Sequence, residues 1–136
     1  MKKNGLTINI LTPAGQVYSE NIETCVIPGA NGQFQVMENH AAMLSIVEIG
    51  PIKIVDKNNK SIYFATSGGM CEIIDNQINL VVESAELSSQ INIKRAEEAK
   101  SRAEKRLARK AENINVERAK LSLLRAVNRL KVSMIR

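Results

Sequence analysis

The chain has 136 residues, a formal net charge of +5, two cysteines, one histidine and only 3% aromatic side chains. That length fits one domain, or one compact domain with an appendage. A single histidine and two distant cysteines without Cys-x-x-Cys spacing give no support to a metal centre, and a tail without aromatics removes base stacking as a way of holding nucleic acid.

Leu6 to Leu11 alternates apolar and polar residues and stops at Pro13-Ala14-Gly15, which reads as a strand and a turn. Val17-Tyr18 and Ile22 to Ile27 give further strands, ended by Pro28-Gly29, and Gly32 to Val36 alternates again. After a loop at 37–39 come Leu44-Ser45-Ile46-Val47, Ile52 to Val55, Ile62 to Ala65, Cys71 to Ile74 and Ile78 to Val82. Asp56 to Lys60 and Asp75-Asn76-Gln77 have the composition of hairpin turns. The fold class expected is α+β: an all-β sandwich or flattened barrel of about ten strands, followed by a two-helix hairpin. Cys25 and Cys71 fall in strands and are expected as reduced, buried, small apolar residues.

From Ser88 to Met134 the chain contains no Gly and no Pro and is rich in Ala, Leu, Lys, Arg and Glu, a helical composition. Two helices are expected, Gln90 to Lys110 and Val116 to Val132, with Ser88 or Ser89 capping the first and the Asn113-Ile114-Asn115 break separating them. At ~100° per residue, Val116, Ala119, Leu123, Val127, Leu130 and Met134 form one stripe of the second helix, with Arg118, Arg125, Arg129 and Arg136 as an opposed ridge. Ala96, Ala99, Ala103, Leu107 and Ala111 form a thinner stripe on the first, beside a row of Arg95, Arg102 and Arg106. Small side chains bury little area at roughly 25 cal/mol per Å², so the hairpin should need a partner surface and be able to exchange it.

Residues 1–87 hold five basic and nine acidic side chains, net −4, and residues 88–136 fourteen and five, net +9. The tail therefore seeks acidic surface, and the charge step divides the chain into a sandwich at 1–87 and a helical appendage at 88–136. Met1-Lys2-Lys3-Asn4 leads into a polar alternating segment rather than an apolar leader, and no apolar run reaches bilayer length.

Catalytic signals are missing. His40 has no nucleophile on a tight elbow near it, and Gly68-Gly69 lacks the spacing and lysine of a phosphate loop, so it reads as a backbone turn. A sandwich enzyme of the cupin kind needs several histidines for its metal. The rival reading is a small β-sandwich interaction module whose basic tail binds nucleic acid or another acidic partner.

Gly32-Gln33-Phe34, Asn39-His40-Ala41, Leu44, Gly50-Pro51, Ser67-Gly68-Gly69 and Glu72-Ile73 occur in an order that resembles the epsilon subunit of the F-type ATP synthase. The tail agrees, through Arg95-Ala96, Arg102 to Leu107 and Arg125 to Leu130. Similar proteins usually carry Pro where this chain has Glu38 and Ala42. The resemblance implies a non-catalytic rotor subunit, peripheral on the cytoplasmic side of the bacterial inner membrane. Its partners would be the gamma subunit, the c-ring subunits and, through the tail, the alpha and beta subunits of the catalytic head. Nucleic acid is not among them, and the membrane is met only indirectly.

The same resemblance implies a c-ring interface at Gly29, Gly32, Asn39, His40 and Ala41, and a contact of Arg118, Arg125 and Arg129 with the catalytic subunits. Ile91-Asn92-Ile93-Lys94-Arg95-Ala96 resembles the Ile-Asp-x-x-Arg-Ala motif of epsilon subunits that bind ATP. No cofactor is required, but a regulatory ATP site is implied at Ile91, Asn92, Arg95, Ala96, Arg102, Arg125 and Arg129. Asn92 stands where the motif has Asp, keeping the capping amide oxygen and losing the charge, so the site implied is a weak one.

Overall fold

The computed structural model describes residues 5–109 and 115–135. Expectations placed on residues 1–4, Lys110, Ala111, Asn113, Ile114 and Arg136 lie outside them. Among the described residues nine strands precede two helices: β1 (Leu6–Thr12), β2 (Gly15–Gly29), β3 (Gly32–Val36), β4 (Met43–Val47), β5 (Gly50–Asp56), β6 (Ser61–Thr66), β7 (Gly69–Ile74), β8 (Gln77–Val82), β9 (Ala85–Leu87), α1 (Ile93–Arg109) and α2 (Val116–Ser133). Val17-Tyr18 and Ile22 to Ile27, expected as separate strands, are parts of the one 15-residue strand β2, because no turn residue interrupts Ser19 to Asn21. The three-residue strand β9 was not foreseen, being too short to display an alternation.

The strands form one sheet that folds over on itself. Its order runs β1, β8, β7, β4, β2, β5, β6, β9, and β1 also pairs with β2, so five strands close into a ring through β2. β1 lies parallel to β8, while the other pairings are antiparallel. Alternation along each strand sends one set of side chains inward. Ile8, Ile10, Ile22, Ile27, Ile52, Ile54, Ile78 and Leu80 are all fully buried in the shared core, with Cys25 and Cys71 free among them. Those β-branched and leucine side chains bury about 1.5 to 3 kcal/mol each, which makes the sandwich self-sufficient in core.

Turn chemistry fixes the register. Asp56 Oδ1 accepts from the N–H groups of Asn58 and Lys60, both at 2.9 Å, and closes the β5–β6 hairpin. Asp75 and Asn76 take φ of +47° and +61° between β7 and β8, as a two-residue hairpin of this hand requires. Gly68 is needed for close approach: at φ +100°, a Cβ there would stand 2.7 Å from Val47 O.

The tail begins with a 3₁₀ turn at Ser88–Gln90, and neither Ser88 nor Ser89 caps α1. The cap is Asn92, whose Oδ1 accepts from Arg95 N–H at 3.1 Å while its carbonyl accepts from Ala96 N–H at 3.0 Å. The expected start at Gln90 is therefore too early, because Ile91 leaves the helical path to bury itself beneath α2. Asn115 caps α2 in the same way, accepting from Arg118 N–H at 3.1 Å.

Candidate functional site

The helical hairpin is folded down, with α2 lying on β5, β6 and the 3₁₀ turn and α1 packed along α2. Val132, fully buried, shares a small cluster with Ala65 and Ile91, and Tyr63 packs against it. One turn earlier, Asn128 Nδ2 donates to Gly50 O at 2.9 Å and to Thr66 O at 3.3 Å. Gly50 and Thr66 are partners at the end of the β5–β6 ladder, so one amide clips the carbonyls of two strands. Beside it Arg129 meets Glu86 of β9: Nη2 donates to Oε2 at 3.0 Å, and Nε stands 2.6 Å from Oε1 without being aimed along a hydrogen bond.

These contacts revise the single stripe expected on α2. Ala119, Ala126 and Ser133 are buried, Leu123 and Leu130 are half-buried, and Val116 and Met134, both expected in the stripe, are exposed. The helix has two contact faces, not one. Ala126 lies about 160° around the axis from Asn128 and so faces α1, while Asn128 and Val132 face the sandwich. On α1 the expected Ala96, Ala99, Ala103 and Leu107 are indeed its buried or half-buried face.

Arg95 and Arg102 each immediately precede a buried alanine of α1, and Arg118 and Arg125 each precede a buried alanine of α2. In an antiparallel pair, equal offsets from the contact line fall on the same side, so these four exposed guanidinium groups share one face of the hairpin. Arg129 is not part of a free ridge, because Glu86 neutralises it. Of the residues expected to hold ATP, Ile91 and Ala96 are buried and Asn92 is engaged as a helix cap, leaving Arg95, Arg102 and Arg125 as open cationic groups. An apolar cleft of about 510 Å³ opens beside the hairpin root, walled by Tyr18, Ile62, Phe64, Leu87 and Ile135, and none of those seven residues lines it.

The residues expected at the ring lie at the two ends of β3. Gly29 and Gly32 bound the β2–β3 turn, and Asn39-His40-Ala41 occupies the β3–β4 loop, five residues of strand and roughly 16 Å away. Gly29 is buried, and a Cβ on it would press within 2.8 Å of the Phe34 ring, so its part is packing. Gly32, with φ +112°, is exposed with open space around its Cβ direction. Met37 O accepts from His40 N–H at 3.2 Å, closing a turn in which Asn39 takes φ +66°. Among the described residues β3 pairs only with β2, so between the two ends runs a strand edge left open by them, with Gln33 and Gln35 exposed.

A further surface was not read from the sequence. Ile46 pairs with Met70, Met70 with Val81 and Val81 with Leu11, all outward, giving an apolar row across β4, β7, β8 and β1 about 14 Å wide. Their exposures are 56, 42, 56 and 38%, and Leu44 beside them reaches 68%. Glu72, Asn79 and Asn9 form the adjacent polar row, Asn9 donating to Asn79 at 3.2 Å. The signal was present as apolar residues in the off-phase of strands already apolar inside. Glu86 and Asn128 gave no such signal, since their importance lies in what they meet across the fold.

Burial pushes the Cys25 thiol far up and the Cys71 thiol up to about 12, with Cys71 adding to the first effect and Glu72 to the second. Burial, then Glu20 and Asp56, raises the Tyr18 phenol. No helix among the described residues is long and apolar enough to cross a membrane, and those residues hold no cluster of three or more metal-ligating side chains.

Residues 5–88 match the family model for the ATP synthase delta/epsilon chain, beta-sandwich domain, and residues 89–134 match the long alpha-helix domain of the same chain. The sequence is 41% identical over 127 residues to the ATP synthase epsilon chain of Desulfitobacterium hafniense (strain DSM 10664 / DCB-2), covering 93% of this chain and 95% of that one. It is 37% identical to the epsilon chain of Syntrophomonas wolfei over 98% of this chain and 97% of that one. In fold it resembles a chain of the Euglena gracilis mitochondrial ATP synthase OSCP/F1/c-ring structure, with TM-score 0.83, 13% identity and coverage of 98 and 84%. A chain of the Tetrahymena thermophila central stalk/c-ring structure aligns with TM-score 0.64 at 16% identity, over 98 and 99%. Sandwich and hairpin are thus matched together, end to end and by the same relatives, and the chain belongs to the ATP synthase delta/epsilon family.

Proposed function

We propose that the chain works as a non-catalytic rotor subunit in the central stalk of a bacterial F-type ATP synthase, peripheral on the cytoplasmic face of the cell membrane. The observation that carries this reading is the outward apolar row of Leu11, Ile46, Met70 and Val81, edged by polar residues, on a sandwich whose core is already complete without it. A patch of that kind marks a protein interface, and its partner in this reading is the gamma subunit. The free edge of β3, from Gly32 to the loop holding Asn39, His40 and Ala41, meets the c ring.

The hairpin is the regulatory part. Folded down, it is held by Asn128, Val132 and the Arg129–Glu86 pair. Opened, it releases Arg129 to join Arg118 and Arg125 against acidic segments of the alpha and beta subunits, opposing rotation in the hydrolytic direction. ATP held by Arg95, Arg102 and Arg125 would favour the closed form. A full shift of such an equilibrium needs about 5 kcal/mol of differential binding. Asn92 in place of a carboxylate, with Arg129 already paired to Glu86, makes the nucleotide a weak effector here.

The test is co-purification with gamma. Met70→Glu combined with Val81→Glu should abolish it while leaving the circular dichroism unchanged, since both side chains point outward. Retained binding by that variant would overturn the assignment of the face. Hydrolysis by the reconstituted head with and without residues 88–136 tests the brake, and equal rates would refute it.

A further inference from the structure

Asp75 and Asn76 turn the chain between β7 and β8 with φ of +47° and +61°. Asn, Asp and Gly all satisfy that backbone, Gly with least strain. The side chain of Asn76 has a second engagement, 37 residues back in sequence: Asn39 N–H donates to its Oδ1 at 2.6 Å, and its Nδ2 donates to Asn39 Oδ1 at 3.4 Å. Its carbonyl also accepts from Thr7 N–H at 2.9 Å, so the start of β1, the turn and the β3–β4 loop meet on one residue.

The loop has little else to hold it. His40 N–H bonds to Met37 O, and His40 Nδ1 lies 2.7 Å from Ala41 O, both within the loop itself. Met37 is 55% exposed, and Glu38, Asn39, Ala41 and Ala42 are exposed too. Among the described residues, the bonds to Asn76 are the only hydrogen bonds that leave residues 37–42 for another part of the chain.

We propose that Asn76 is a positioning residue for the His40 loop, so that the β7–β8 turn sets how the loop is presented to the membrane ring. The functional half of this rests on the ring-facing reading of the loop given above. The backbone demand and the side-chain bond are separable by substitution. Asn76→Gly keeps the turn and removes Oδ1, whereas Asn76→Asp keeps both the turn and an oxygen acceptor for Asn39 N–H.

The experiment measures amide exchange in the full-length subunit, and ATP-driven ion pumping per ATP hydrolysed in vesicles carrying the whole complex. Asn76→Gly should exchange the Asn39 amide roughly fivefold faster, the worth of one hydrogen bond, while the strain that Gly relieves at the positive-φ turn offsets that loss and keeps unfolding stability close to wild type. It should also lower pumping per ATP in the same direction as His40→Ala. Asn76→Asp should restore both readouts. Unchanged Asn39 exchange in Asn76→Gly, or an Asp variant that behaves like the Gly variant, would overturn the positioning role. Faster exchange with normal pumping, while His40→Ala lowers pumping, would overturn the link to coupling. If neither variant affects pumping, the ring-facing reading fails and takes the functional half with it.

Discussion

Replacing Asn128 by Ala should loosen the helical hairpin from the sandwich while both parts keep their folds. The amide makes one good and one long hydrogen bond to Gly50 O and Thr66 O. Removing it takes the second acceptor bond from two carbonyls that already serve the β5–β6 ladder, at a cost of about 1 to 2 kcal/mol for the pair of bonds. The ratio of open to closed hairpin should then rise roughly fivefold to thirtyfold. Asn128→Asp should open it further, because an anionic acceptor would replace the donor in front of two carbonyl oxygens. Limited trypsin digestion reads the change at Arg129, whose side chain is held against Glu86 while α2 is docked, so that cleavage there requires α2 to come away, and cleavage slower than reclosing tracks the open population. Val132→Ala, which removes two buried methyl groups worth about 1.5 kcal/mol, serves as the control for docking. If Val132→Ala is cut faster and both Asn128 variants are cut at the wild-type rate, the clip does not hold the hairpin.

A chain ending at Leu87 should remain folded by circular dichroism and still bind gamma, because every residue of the main core cluster lies at or before Leu87. Neither thiol should react with a maleimide in the native protein at pH 8. Since folding raises both thiols above their ordinary 9.0, Cys71 to about 12, the stability they support is intact below pH 9 and falls as pH climbs above it, which alkaline denaturation followed by circular dichroism would measure. Asn92→Asp should keep the cap on α1, add about 0.5 kcal/mol to helix stability and tighten ATP binding roughly tenfold by titration calorimetry, the worth of one charged hydrogen bond. A variant with unaltered ATP affinity would remove Asn92 from any nucleotide site.

The strands were legible because turn residues and period-2 alternation agreed: Gly32 to Val36 emerged with the bounds expected of it. The alanine face of α1 was legible for the same reason at the helical period. What escaped was whatever depends on a second contact. Ser88 and Ser89 look like caps until Ile91 is seen buried against Val132, which defers the helix to Asn92. Val132 and Asn128 sit off the apolar stripe of α2, and only the sandwich beneath them gives that side of the helix something to touch. Arg129 matches its neighbours Arg118 and Arg125 in every local respect, and Glu86, 43 residues away, sets it apart. Local pattern reports which face is apolar, but it is silent about polar partners chosen across the fold.

β2 runs unbroken from Gly15 to the Gly29 turn and is hydrogen-bonded along its length to β1, β3, β4 and β5. A pull applied at that turn along the strand is met in shear, with many ladder hydrogen bonds strained together, rather than in a peel that breaks them singly. The weak direction is across the sheet, at the short β9 and the clip of α2. In a rotating stalk this would let the sandwich pass torque as a stiff body, while the same load finds its give at the hairpin.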